Sequence, residues 1–198
     1  MSNKLYISNM CQAGFIHKNT QTIPYQHPFI FCCFMENDFV KFVEDFDDTN
    51  FSNYKKLHYY QSKIYNHKDI YSWDGMNRRL GIKTENTPTI EFENGVQMIY
   101  PHTNYDGFDE KYEKRLKRFL ENQDKDIYFI FRIRNHMDKS VVDMFYNCNK
   151  YKKILLFDEN VSYRHHYTEN EHNKIVVTNC EHNYLIKYLK HIGILENY

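Results

Sequence analysis

DIYFIFRIRNHMDKSVVDMFYNCNKYKKILLFD, residues 126–158, decides the fold. DIYFIFRIR (126–134) and KILLFD (153–158) are short, nearly continuous apolar runs, the pattern of strands covered on both faces. Between them KSVVDMFYNC (139–148) spaces its apolar residues as a helix does. KIVVTN (174–179) and HNYLIKYLKHI (182–192) repeat the alternation. Strands alternating with helices predict parallel β-α-β units. The expected fold is α/β, a three-layer, largely parallel (Rossmann-like) sheet, read as a single domain over 1–198.

Outward from this stretch the pattern becomes mixed. KLYIS (4–8) predicts a first strand, followed by a helix from about Gln12 to Lys18. PFIFCCF (28–34) reads as another strand covered on both faces, with Cys32 and Cys33 pointing to opposite sides. ENDFVKFVEDF (36–46) sets Phe39, Val40, Phe42, Val43 and Phe46 along one helical face. LHYYQSKIY (57–65) alternates like a half-buried strand, and the polar, turn-rich 66–87 reads as a lid or an insertion. TIEFENGVQMIY (89–100) predicts an added hairpin turning at Asn94-Gly95 through a type I′ turn. A helix is expected at 108–121.

Composition removes several classes of function. The 26 basic and 26 acidic residues cancel, so no field favours nucleic acid or an anionic membrane. No apolar stretch approaches the roughly 20 residues of a membrane span. The start, MSNKLYIS, lacks the apolar core of a signal peptide, so the expected location is cytoplasmic. Cys11, Cys32, Cys33, Cys148 and Cys180 are odd in number and hold no CxxC pair, so free thiols are expected. GxGxxG and phosphate-loop motifs are absent, and the nearest match to a DxD metal motif is Asp124-Lys125-Asp126. No cofactor and no metal are expected. His165, His166, His172, Cys180 and His182 lack metal-ligand spacing and read as a solvated loop.

Ligands of open parallel sheets bind beyond the carboxyl ends of the strands, where loops and helix N-termini converge. The first strand delivers Ser8, Asn9 and Cys11 there. The 126–134 strand delivers Arg132, Arg134 and Asn135, the next Asp158, and the last Asn179 and Cys180. In the 108–121 helix, at about 100° per residue, Phe108, Tyr112, Leu116 and Phe119 share an arc with Arg115 inside it. An arginine on a core face must meet a carboxylate or a bound anion. Arg115 is therefore either paired with Asp158 or Asp106 or a phosphate or carboxylate clamp, with Arg118 on the flank.

Four segments carry a resemblance: YISNMCQAGFIHK, IPYQHPFIFCCF, ENDFVKFVEDF and YPHTNYDGFDEKYEKRLKRF. They resemble a bacterial family of unknown function whose members are labelled exopolysaccharide biosynthesis proteins. Asn9, Cys11, Gly14, Tyr25, Pro28, His102, Arg115 and Arg118 match that family's pattern. The chain departs from it at Gln12 and Tyr112, where the family has aromatic and tryptophan residues. The Cys11 loop, His27-Pro28-Phe29 and YDGFDEKYEKRLKRF also resemble a family of papain-like cysteine peptidases.

Three functions follow as expectations. The first is a transferase of glycan or exopolysaccharide synthesis that binds a sugar nucleotide or phosphosugar at the strand ends through Asn9, Arg115, Arg118 and Arg132. The second is a cysteine hydrolase or acyl transferase in which Cys11 is the nucleophile, His102 the base and Asp158 or Asp106 its orienter. The third is a non-catalytic carbohydrate-binding module. The preferred reading of Cys11 itself is a structural or pocket-lining residue, since free cysteines are among the most commonly buried side chains.

Overall fold

The computed structural model describes residues 4–10, 13–14, 16–17, 27–58, 87–101, 106–122, 125–178, 182–191 and 193. The expected cysteine–histidine pair, Cys11 and His102, lies outside these residues, as do Asn179, Cys180 and the 59–86 stretch.

Four strands form a parallel sheet: β1 (Lys4–Ser8), β5 (Asp126–Ile133), β6 (Lys152–Asp158) and β7 (Asn173–Thr178), in the order β1-β5-β6-β7. Three more form a separate antiparallel sheet in the order β2 (Tyr54–Leu57), β3 (Thr89–Phe92) and β4 (Gln97–Ile99). The helices are α1 (Glu36–Glu44), α2 (Phe108–Glu121), α3 (Lys139–Asn147) and α4 (His182–His191), and residues 13, 14, 16 and 17 are also helical. The expected α/β fold, a parallel sheet with an added antiparallel hairpin, is the observed one.

Side-chain alternation along β5 explains the layers. Phe129, Phe131 and Ile133 enter a large core with Phe39 and Phe42 of α1, Phe145 of α3, Phe119 of α2 and Phe92 of the small sheet. Ile130, on the other face, packs with Tyr6, Ala13, Ile16, Leu156, Val176 and Leu189. Burial on both faces is why these strands read as unbroken apolar runs. α3 begins at Asp138, whose carboxylate accepts from the backbone N–H of Ser140 at 2.9 Å and so satisfies one donor of the first turn.

Two local expectations are corrected. PFIFCCF is not a strand: residues 28–31 form a turn and Cys33 makes an isolated antiparallel bridge to Ile99. It is apolar because it is enclosed, with Phe29, Cys32 and Cys33 each at most 1% exposed. The first strand of the small sheet is Tyr54–Leu57, while 59–65 of the expected 57–65 strand lies outside the described residues. The hairpin turn is not type I′. Gly95 has φ 81°, but Phe31 is the sole non-glycine with positive φ among the described residues. Gly95 N–H donates to Phe92 O at 2.8 Å and Phe92 N–H to Val96 O at 3.0 Å, a type I turn closed by a glycine bulge.

The strained Phe31 (φ 55°) lays its ring on Gly14. A Cβ at position 14 would stand 2.5, 2.6 and 2.8 Å from three ring atoms. Gly14→Ala is therefore expected to lower stability by about 1–3 kcal/mol, the usual cost of overpacking. Thermal unfolding checks this, and adding Phe31→Ala should recover much of the loss. An unchanged Tm in the single variant would show that the ring moves freely.

Candidate functional site

β1 ends at Ser8, and its last residues organise the carboxyl edge of the parallel sheet. The Ser8 hydroxyl accepts the backbone N–H of Ala13 at 3.0 Å and donates to Met10 O. The chain is thereby folded back sharply after the strand. Asn9 is 1% exposed. Its Oδ1 accepts from Arg132 N–H at 2.8 Å and its Nδ2 donates to Arg132 O at 3.2 Å, so the side chain extends the β1–β5 pairing past the strand end. Expected as a substrate contact, Asn9 has both ends of its amide committed to backbone and serves to position Arg132. Its own carbonyl accepts Phe34 N–H at 2.9 Å, which ties the approach to α1 to the same edge.

Arg132 follows Ile130 on one face of β5, and Asp158 follows Leu156 on the same face of β6. Arg132 Nε lies 3.4 Å from Asp158 Oδ1, with the two side chains 13% and 22% exposed. The contact is single and long, not the two-pronged pairing that guanidinium and carboxylate can make. Among the described residues no protein acceptor meets the terminal Nη groups of Arg132. Thr178, opposite Asp158 in register and 1% exposed, completes the row.

A second charged group stands at this edge that sequence reasoning missed. Glu36, in the first turn of α1, has Oε1 3.9 Å from Nε2 of His136 in the loop after β5. The available signal was an acidic residue opening a helix whose buried face is otherwise apolar, at Phe39, Val40, Phe42 and Val43.

Arg115 and Arg118 lie elsewhere. Arg115 is half-buried on α2, electrostatically felt by His27 and by Tyr100, whose hydroxyl donates to Pro28 O at 2.7 Å. Arg118 is exposed, and its carbonyl accepts from Asn122. Of the two partners offered for Arg115, Asp158 and Asp106, Asp158 pairs with Arg132 instead. Asp126, of the DxD-like triplet, starts β5 and so stands at the sheet edge opposite Arg132; its carboxylate is 3.6 Å from Lys152 Nζ.

Among the described residues no group of three or more His, Cys, Asp or Glu side chains converges as a metal site would. None of the helices described is long and apolar enough to cross a membrane. No protein-family model, curated protein or solved structure matches the chain.

Proposed function

We propose that the protein is a transferase of glycan or exopolysaccharide synthesis that binds a phosphosugar or sugar nucleotide at the carboxyl edge of the parallel sheet. One observation carries this reading: Arg132 is nearly buried at that edge, held by Asp158 through Nε, with no acceptor on its Nη groups among the described residues. Guanidinium donors in a fixed fork suit a phosphate, and the carboxyl edge is where open parallel sheets place such ligands. In this reading Arg132 holds the phosphate, Asp158 and Asn9 orient Arg132, and the Glu36–His136 pair is within the same group of loops for proton transfer. The parallel sheet also differs from the antiparallel barrel that supports a papain-type cysteine helix, which favours this reading over the cysteine hydrolase.

A thermal-shift panel of sugar nucleotides and phosphosugars tests it. A ligand at about 100 times its Kd adds about 2.7 kcal/mol, or roughly 5–10 °C in Tm for a chain of this size. Arg132→Gln should remove the shift while leaving the unliganded Tm within a few degrees. Absence of any shift across the panel, or a shift untouched by Arg132→Gln, would overturn the reading.

A further inference from the structure

The tip of the β3–β4 hairpin carries Asn94-Gly95, the single Asn-Gly pair in the chain. Asparagine is chemically labile, and most so before glycine. The backbone nitrogen that follows it attacks Cγ, and a glycine has no Cβ to obstruct the approach. Water reaches the bond, since both residues are half-buried. Three contacts oppose the attack. Gly95 N–H, the nucleophile, donates to Phe92 O at 2.8 Å. Asn94 Oδ1 accepts from Val96 N–H at 3.1 Å. Asn94 Nδ2 donates to Asp45 Oδ2 at 3.0 Å. The first two are internal to the hairpin, and the third comes from the end of α1. Asp45 is itself held there as the C-cap of α1. Its Oδ2 also accepts from Lys41 Nζ at 2.7 Å, and its carbonyl accepts from the Thr49 hydroxyl and from Asp48 N–H.

We propose that Asn94 is a self-modification site, a deamidation site that the Asp45 carboxylate keeps shut. Once the Asp45 contact opens, the side chain turns until Gly95 N reaches Cγ. A bond from Gly95 N to Cγ forms, the Cγ–Nδ2 bond breaks, and ammonia leaves with the Gly95 proton. Water then opens the succinimide at either carbonyl, which gives aspartate or isoaspartate. Water is the one reagent required. The product has no N–H to offer Asp45 and sets a second carboxylate against the first. The change is therefore one-way: it removes the donor that joins the hairpin tip to α1 and adds a repulsion between like charges. The hairpin belongs to the small sheet, so the site does not depend on what the Arg132 edge binds.

Peptide mapping by mass spectrometry, after incubation of the full chain at mildly alkaline pH, reads the conversion. The folded parent should convert Asn94 about tenfold more slowly than the chain unfolded in urea, or slower still. Asp45→Ala should speed conversion in the folded protein severalfold, because a charge-assisted hydrogen bond no longer withholds the amide. Lys41→Ala removes the other partner of Asp45 and leaves the Asn94 contact in place, so it should not. Asp45→Asn keeps an acceptor oxygen without the charge and should lie between, which serves where the alanine variant does not fold. Asn94→Asp copies one product. It should lower Tm, and adding Asp45→Asn should return part of the loss. Equal rates in the folded and unfolded parent, or a rate that neither Asp45→Ala nor Asp45→Asn changes, would overturn the proposal.

Discussion

Acidification from about pH 7 to pH 4 is expected to cost the folded protein several kcal/mol, and His17 and His27 account for most of it. The two rings meet edge to face with centroids 4.7 Å apart beside β1, the edge strand of the parallel sheet. His17 covers that edge: its Nε2 is 3.2 Å from both the N and the O of Tyr6. His27 is 0% exposed and neither ring nitrogen has a hydrogen-bond partner. Burial holds His17 down to about 4, a backbone hydrogen bond to Tyr6 opposing it weakly. Burial, then the charges of His17, Lys125 and Arg115, hold His27 well below 6.5.

The sign follows from proton counting. Over the window from pH 6.5 to 4 the unfolded chain binds protons that the folded chain refuses, so stability falls as pH falls. At about 1.4 kcal/mol per tenfold in proton affinity, His17 alone accounts for about 3 kcal/mol, and His27 adds to it. Asp45 and Asp143, lowered from 3.8, contribute only further into acid. Urea unfolding at a series of pH values separates the two windows. His27→Phe should match or exceed the parent at pH 7, because it removes two unpartnered nitrogens from the core. It should also lose markedly less stability by pH 4.5. Parallel pH curves for parent and variant would show that His27 takes no part.

Which histidines these are was not legible in a sequence holding eleven of them. Their burial depends on how residues 27–34 wrap the edge of β1, and that wrapping was itself misread. Apolar runs report enclosure, and PFIFCCF is enclosed without being extended; nothing in it signals the positive φ of Phe31. The parallel sheet was legible because burial on both faces leaves no other reading for 127–133 and 153–157, set at β-α-β spacing. At the carboxyl edge, Arg132 and Asp158 were legible as strand-end residues. That Asp158 pairs with Arg132 and not with Arg115 is a matter of register, since both flank one sheet face in adjacent strands. Glu36 with His136 needed the loop after β5 to be placed beside α1.

Lys153 had a readable signal, because it shares an alternation with Leu155 and Phe157, two residues of the large core. It is 1% exposed. Its Nζ donates to Phe145 O at 2.5 Å and Tyr146 O at 2.8 Å, and lies 5.3 Å from the Phe145 ring. The ammonium thus closes the C-terminal turn of α3, where a cation also favours the helix dipole. Lys153→Met keeps the aliphatic stem and removes the charge. Charge-assisted hydrogen bonds contribute about 1.5–3 kcal/mol each, yet two effects reduce the loss. Phe145 O keeps Cys148 N–H at 3.4 Å and Tyr146 O keeps Asn173 Nδ2 at 3.2 Å, and the variant no longer buries an ion. The net expectation is about 2–3 kcal/mol of destabilisation, a fall of roughly 5–10 °C in Tm. A pH signature distinguishes this from simple loss of packing. Burial lowers the Lys153 ammonium from 10.5 to about 8, so between those values the unfolded chain holds the extra proton and stability rises with pH. Lys125 shifts in the same direction, so Lys153→Met should shrink that rise and leave a remainder. Buried tyrosines such as Tyr112, raised from 10.0, oppose it only above their ordinary value, and the other groups that titrate between pH 8 and 9.5 are shared by parent and variant, so the difference in slope there reports Lys153. Equal slopes for parent and variant there would mean that the folded protein keeps Lys153 charged throughout, held by its two carbonyls against burial.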